Sequence, residues 1–440
     1  MVTPITVDLS DPELLQDPFR GYSRLRERSP MVQVVHGDRG SSLWIVTRHA
    51  DVRVVLNDRR FVNAPANVPG MEIEDARAEV FRAMGIDDDY APYLLRSVLD
   101  ADGDDHLRLR RLVSRAFTAR RVTALLPRVG EIVGRLLDRL PDRASPPDGV
   151  VDLLEHFAYP LPITVICELV GIPEEDRGRW LRWSRALMRS HETGHFTAAI
   201  RGIVDHVKEL IARRRAEPAD DLLTALIGVH DEDGGVLSEF ELVTMVLTIV
   251  LAGHETTAHL IGNGMVALLT HRDQLDLLRA DPATLLPRAV QELMRWCGPV
   301  QAARVRYATE DVEIGGRRLR KGSPVMASLV SANFDPRRFA DPHRLDITRR
   351  PDGGHETHLG FGHGLHYCLG AALARQEAEV AFAGLLDRYP GLSLAVPPES
   401  LDRIPMPGTW RLAALPVRLG SPPPAHPSAV TSGATSPTGT

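Results

Sequence analysis

Cysteine is scarce in this chain: three among 440 residues, at unrelated spacings, so no disulfide framework holds the fold and a reducing cytoplasm is the expected setting. The N-terminal stretch MVTPITVDLSDPELLQDPF carries charges and prolines where a signal or anchor would need an apolar run. Long apolar runs are missing elsewhere too. The most apolar helical stretch, 242–252, stops at Gly253-His254-Glu255, short of the roughly 20 residues that span a bilayer, so no membrane is expected. Excess positive charge is also absent, and a net charge of −6 argues against nucleic acid as a partner. Neither a repeat nor an interdomain linker divides the chain, which is read as a monomer. The tail 419–440, made almost wholly of Ser, Pro, Gly, Thr and Ala, cannot bury enough apolar area to offset its ordering entropy and is expected to be disordered.

What is present is enough for a large core, since 43% of the residues are hydrophobic. A helical opening at 18–28 is followed by short β-rich pieces at 32–35 and 44–47 around a Gly/Asp turn. From 106 to 271 the apolar spacing is mostly helical, with breaks at 141–149, 171–173 and 231–235. Within it, 237–271 is free of proline and opens with Ser238 and Glu241 in the spacing of a capping box. A helix of that length would run roughly 50 Å and cross a whole domain. Strands are expected at 305–312, 325–330 and 412–417. The pattern is mainly α with a small β region: one domain, 1–418, with a long central helix.

Chemistry concentrates in FGHGLHYCLG, Phe361 to Gly370. Glycines at 362, 364 and 370 let the backbone turn tightly and approach something flat, and the loop runs into the helical segment 371–375, whose N-terminus favours thiolate at Cys368. Free cysteine, with a pKa of about 8.5, is only slightly ionised at neutral pH, whereas a metal ligand must be deprotonated. Cys368 alone would pass for a buried structural thiol; in this loop it reads as the thiolate of a metal or haem site. Structural zinc needs clustered ligands, and Cys167 and Cys297 lie far off in apolar helical contexts. Haem needs one protein ligand on its proximal side.

Other constellations are weaker alone. His254-Glu255 followed by His259 is not a zinc motif, because five residues separate the histidines by about 140° around a helix instead of stacking them on one face. Mid-helix Gly253 beside Thr256 can mean close helix packing and a threonine bonded back to the carbonyl of Ala252. Glu292 and Arg295, three apart on a helix, form an ordinary surface pair by default, and His106 with Arg110 an ordinary basic face.

Taken together these motifs resemble the cytochrome P450 family over roughly residues 10 to 418, and soluble actinobacterial members acting on macrolides and other polyketides in particular. The resemblance implies the P450 fold, haem b with Cys368 as axial ligand of the iron in the loop of Phe361 and Gly362, and propionates bound by His106, Arg110, Arg306 and His366. In AGHETT it implies room for dioxygen at Gly253, a supporting hydroxyl at Thr256 and proton relay by Glu255, which suits a reaction needing protons where bulk water is excluded. Glu292, Arg295 and Arg344 would be a buried structural cluster under the cysteine loop. Thr248, Ile249, Ala252, Val300 and Met406 are expected to contact substrate, along with segments 64–99 and 187–196.

The implied activity is monooxygenation, by hydroxylation or epoxidation, of a mainly apolar small-molecule substrate. Electrons would come from NAD(P)H through a ferredoxin and ferredoxin reductase, with Arg108, Arg111, Arg115 and Arg121 as docking cations. Peroxide-driven or coupling chemistry is the enzymatic rival, and a non-catalytic haem sensor the rival from another class; Glu255-Thr256 argues against both. Two departures stand out. Asp102-Gly103-Asp104-Asp105 replaces Pro-Pro before His106, which suggests a looser loop, and Phe334 stands where arginine is common. The run Asp87-Asp88-Asp89 fits a solvated loop better than a site for a cationic sugar.

Overall fold

A 32-residue helix, Glu239–Thr270, forms the axis of the structure, a computed structural model that describes residues 5–35, 43–188, 193–230, 234–350 and 357–420. Its start is fixed by the capping box expected from the sequence: Glu241 N donates to Ser238 Oγ (3.2 Å) and Ser238 N to the Glu241 carboxylate (2.8 Å). By length and apolar composition this helix could cross a bilayer, but half of its most apolar window is buried inside the fold. Helices Pro160–Val170, Thr193–Ala216, Pro282–Cys297 and Ala371–Arg388 pack on it, which explains a helix apolar nearly all round. Glycine permits the closest approaches. A Cβ on Gly264 would lie 2.6 Å from Phe382 Cζ, and one on Gly262 2.7 Å from Leu154 Cδ2.

The β region is a six-stranded sheet to one side, with spatial order Thr6–Val7, Met31–Val34, Leu43–Val46, Pro324–Ala327, Arg306–Ala308, Phe61–Val62. The middle pair, Leu43–Val46 and Pro324–Ala327, is parallel; Arg306–Ala308 then runs antiparallel with Arg306 opposite Val325. The stretch expected as one strand at 305–312 is thus split, with Val312–Ile314 forming a separate hairpin with Arg317–Leu319. The strand expected at 325–330 ends at Ala327, where Ser328 caps the short helix Leu329–Asn333. Strands Val150–Asp152, Pro416–Arg418 and Ser393–Leu394 make a second sheet. Leu419 is buried, so the packed body runs one residue past the expected boundary, while the tail from 421 lies outside the described residues.

Beneath the cysteine loop, Glu292 and Arg295 are a buried bidentate pair, with Arg295 Nε and Nη2 donating at 2.8 and 2.7 Å and the side chains only 3% and 1% exposed. The cation that completes the cluster is Arg349, not Arg344. Arg349 Nε stands 3.1 Å from Glu292 Oε2, whereas Arg344 points outward and supplies only its carbonyl, which accepts from Arg295 Nη2 at 3.3 Å. Arg349 also donates to the Ala340 carbonyl (2.8 Å) and the Arg344 carbonyl (3.3 Å), which holds its guanidinium against Glu292 while the Arg344 side chain stays exposed. Phe334 belongs to the same cluster. Its ring is buried among Phe19, Trp296 and His343, with the Arg295 guanidinium 5.3 Å from its centroid. Arg295 also donates to the Asn333 carbonyl (2.9 Å), and the Asn333 side chain accepts from Leu359 N (2.7 Å), two residues before the cysteine loop.

Removing Arg349 leaves Glu292 paired with Arg295 but deletes charge-assisted hydrogen bonds to a buried carboxylate, at a cost of about 1.5–3 kcal/mol. Arg349→Ala should therefore lower the melting temperature by several degrees and weaken cofactor retention. Arg344→Ala should leave both within about 0.5 kcal/mol of the parent, since an exposed side chain is lost. Thermal unfolding of the two variants side by side checks the assignment.

Candidate active site

The cysteine loop is built by backbone constraints before any ligand is considered. Gly362 and Gly364 have φ of 76° and 72°, a conformation side chains resist, and a Cβ on Gly364 would sit 2.8 Å from the Leu56 carbonyl oxygen. Cys368 N donates to the Phe361 carbonyl (2.9 Å), closing the loop, and helix Ala371–Arg388 begins directly after Gly370. Arg375 lies over the Phe361 ring at 5.0 Å and donates to Tyr367 Oη (2.8 Å), which pins the loop to that helix. Cys368, half-buried, ends up in the wall of an interior cavity of about 360 Å³. The other two cysteines behave as core thiols, each buried and pushed up to about 12 by that burial.

Across the cavity lies the long helix, contributing Thr248, Ile249, Ala252, Gly253 and Thr256 to the lining. Val300 lines it too. Thr256 Oγ1 donates to the Ala252 carbonyl at 2.6 Å, an ordinary helical back-bond that leaves its lone pairs toward the cavity. Gly253 serves packing first, for a Cβ there would meet Ile166 Cδ1 at 3.2 Å. Glu255 does not line the cavity. Its carboxylate is drawn to Arg411 Nη1 at 2.5 Å, on the short hairpin of strands Arg403–Ile404 and Arg411–Leu412, and burial raises its proton affinity against that cation. His259 Nε2 stands 3.9 Å from the same carboxylate, and no cluster of three or more metal-ligating side chains exists among the described residues.

At one end of the cavity, cations gather. His106 and Arg110 share a face of helix Gly103–Ala116, the His106 and His366 rings approach to 3.9 Å between centroids, and Arg306 reaches in from the sheet. Burial is the largest cause of the lowered proton affinity of all four; neighbouring cations lower the two histidines further, while Cys368 and Asp102 act against the shift at Arg110 and Arg306, and Arg306 falls to about 10 and His366 to about 3. Both arginines thus stay charged at neutral pH while both imidazoles are neutral. Arg110 Nη2 donates to the Tyr367 carbonyl (2.6 Å), Arg306 Nη1 to the Val55 carbonyl (2.9 Å), and His106 Nδ1 is buried without a partner. Among the cavity's lining residues the one carboxyl is Glu377, fully buried and pushed up to about 8, hence neutral. A buried and a half-buried guanidinium, neither hydrogen-bonded to a carboxylate, match a ligand bringing two anionic groups, as haem does with its propionates.

The segment before His106 is not loose. Asp102 accepts from Asn63 N (2.8 Å), Ala64 N (2.9 Å) and Asn67 Nδ2 (2.9 Å), and the helix has begun by Gly103. Asn63 Nδ2 in turn donates to His366 Nε2 at 2.7 Å. An acid where the sequence suggested slack is instead an anchor. Met406 was misplaced by sequence reasoning: Gln301 N holds the Gly408 carbonyl (2.8 Å), and this turns Met406 into a separate recess beside Leu14, Tyr22 and Trp410. Of segment 64–99 only Val98 and Leu99 reach the cavity, and residues 189–192 of the other segment lie outside the described residues. Asp87, Asp88 and Asp89 are exposed, with Asp87 paired to Arg201. Arg304 and Glu377 were missed. A signal was present for Arg304, two residues before Arg306 and on the same side of the chain, whereas Glu377 shares its helix with Glu379 and Asp387 and nothing in the sequence singles it out.

One thiolate loop in an enclosed apolar cavity, with cations for two carboxylates at its edge, defines a haem-thiolate protein. Comparison with known proteins agrees. The family model "Cytochrome P450" matches residues 179–409. The chain is 41% identical over 426 residues to the 6-deoxyerythronolide B hydroxylase of Saccharopolyspora erythraea, covering 94% of this chain and 98% of that one. It is 42% identical over 404 residues to the cytochrome P450 monooxygenase PikC of Streptomyces venezuelae, covering 91% of each. The solved structure of ligand-free P450 monooxygenase TamI superposes with a TM-score of 0.81 at 39% identity, over 95% of this chain and 94% of that one. The chain belongs to the cytochrome P450 family. It is a monooxygenase using haem b and O2, with electrons from NAD(P)H delivered by partner proteins.

Two outcomes test the geometry. Gly364→Ala must place a Cβ at positive φ against Leu56 and Asn57 and should cost about 2 kcal/mol or more; Gly370→Ala, whose Cβ meets only Cys368 Sγ at 4.0 Å, should cost far less, as haem content and melting temperature will show. Glu377 is raised in the fold from 4.5 to about 8, so the folded state holds its proton while the unfolded chain releases it. Stability should then fall as pH rises between those values, by up to about 1.4 kcal/mol per unit, and Glu377→Gln should flatten that part of the profile.

Proposed function

We propose that this P450 hydroxylates or epoxidises a mainly apolar macrolide or other polyketide, as a monomer in the cytoplasm, served by a ferredoxin and its reductase. The observation that carries the proposal is the cavity between Cys368 and the long helix, walled on the helix side by Thr248, Ile249, Ala252 and Gly253 and bounded by Val98, Leu99 and Val300. An apolar chamber with few polar points suits a large reduced polyketide ring better than a polar metabolite. The relatives whose names specify macrolide chemistry support the same class.

Bound haem supplies oxygen activation, with the Cys368 thiolate pushing electron density toward it. Arg110, Arg306, His106 and His366 hold its propionates, and Phe361 with Gly362 shapes the loop around the sulfur. Thr256 holds its hydroxyl at the cavity face of the helix, where it passes a proton inward. Glu255 feeds that hydroxyl by leaving Arg411, which keeps the carboxylate outside the cavity between turnovers. Among the four proposed docking arginines, Arg108 pairs with Glu241 and Asp105, and Arg121 with Asp220. Arg111 is exposed and carries the docking role most directly.

Cys368→Ser should abolish the red-displaced absorption of the reduced carbon monoxide complex. Thr256→Ala should keep that absorption while the ratio of product to NAD(P)H consumed drops about tenfold, with peroxide released in its place. Unchanged coupling in Thr256→Ala would remove the hydroxyl from the mechanism.

A further inference from the structure

The search for an unassigned group in the cavity wall ends at Arg304. Four groups, His106, Arg110, Arg306 and His366, already face the end where two anionic arms are expected, so a further guanidinium there has no obvious use. Its surroundings are unlike theirs. Arg304 Nη1 is bound to Asp100, a carboxylate that also binds Arg77 and accepts from Ser97 Oγ (2.6 Å), while Asp75 pairs with Arg77 at 2.6 Å. The cluster of Arg77, Arg304, Asp75 and Asp100 is therefore neutral overall. Burial lowers the proton affinity of Arg304, as for a group enclosed by protein, yet 42% of its side-chain surface remains accessible, and Arg304 belongs to the cavity lining. Among the described residues its hydrogen-bond partner is Asp100, at Nη1, which leaves N–H groups on Nε and Nη2 for something in the cavity.

Resting on the macrolide or polyketide reading, we propose that Arg304 is a specificity-determining residue that donates to an uncharged oxygen acceptor on the substrate, a lactone or ketone carbonyl. The acceptor is uncharged because Asp100 already answers the guanidinium, and a carboxylate there would face the Asp100 carboxylate across one cation. In a cavity otherwise lined mainly by apolar side chains, one directional donor fixes which part of a flexible or ring-shaped molecule faces which wall. A site that hydrogen-bonds a substrate oxygen discriminates against the analogue lacking it, which covers the donor without answering it.

The test uses the haem-loaded full chain and three probes sharing a carbon count: cyclopentadecanone, cyclopentadecane and pentadecanoic acid. Binding is read from the spin-state shift of the ferric haem and, independently, by calorimetry. Wild type should bind the ketone about tenfold or more tightly than the hydrocarbon, Arg304→Leu should bind the two alike, and Arg304→Lys, which keeps a donor, should restore part of the preference. Asp100 retains Arg77 and Ser97 in these variants, which keeps the wall assembled. A ketone preference that persists in Arg304→Leu overturns the inference. So does tighter binding of the acid than of the ketone, or a loss of haem from Arg304→Leu with the preference intact, which would assign the guanidinium to a propionate. A normal red-displaced carbon monoxide band in the same samples separates any of these failures from failure of the haem-thiolate reading itself.

Discussion

Two guanidiniums in one cavity wall, each hydrogen-bonded to a backbone carbonyl and neither to a carboxylate, govern this structure. Arg110 and Arg306 arrive from different layers, one from helix Gly103–Ala116 and the other from an inner strand of the six-stranded sheet, and both are desolvated enough to lose proton affinity. Leaving a charge buried and unpaired costs several kcal/mol, so a chain would not carry two unless something regularly neutralised them. A cofactor with two carboxylates and a metal awaiting one thiolate satisfies both halves of the site at once. On this view cofactor binding and folding are coupled: the ligand removes an electrostatic penalty that the empty fold bears, which links cofactor saturation to stability by mass action.

The rest of the fold can be read as a means of holding those cations and Cys368 at fixed separation. The Glu292, Arg295 and Arg349 cluster fastens helix Pro282–Cys297 to the segment that becomes the cysteine loop, through Asn333 and Leu359. Helix Ala371–Arg388, which leads out of that loop, packs on the long helix where Gly264 admits Phe382. Cavity depth is thus set by a helix-to-helix contact at glycine, while the loop's own shape is set by glycines at positive φ. The two controls are independent, one acting by packing and one by backbone conformation.

Much of this was legible in the sequence because the signals were local. A capping box, a proline-free apolar stretch and a glycine-studded cysteine loop each specify their conformation within a few residues, and they placed the long helix and the loop correctly. What failed required knowledge of side-chain direction over irregular chain. Arg344 and Arg349 lie on a coil where no periodicity tells which guanidinium turns inward, and the carbonyl of the first was consumed by Arg295. Met406 sits on a turn whose orientation depends on a backbone pairing with residue 301, far away in sequence. Asp102 was misread because acids in series look like solvated loop, and only the fold reveals three donors converging on one carboxylate.

The position of the acids follows from the same electrostatic constraint. Had Glu255 projected its carboxylate into the cavity at rest, it would have set a negative charge in an apolar chamber and drawn water into it. The helix avoids both by turning that side chain to Arg411 on the opposite flank, and the one carboxyl left in the wall, Glu377, is made neutral by burial. A proton-delivering acid must nonetheless be near. Placing it one residue before the cavity-facing Thr256 solves this, since successive positions on a helix point about 100° apart: the acid faces outward while its neighbour faces in. Dryness of the chamber and access to protons are thereby separated across a single peptide unit, and in the proposed relay a rotation of Glu255 away from Arg411 would join them.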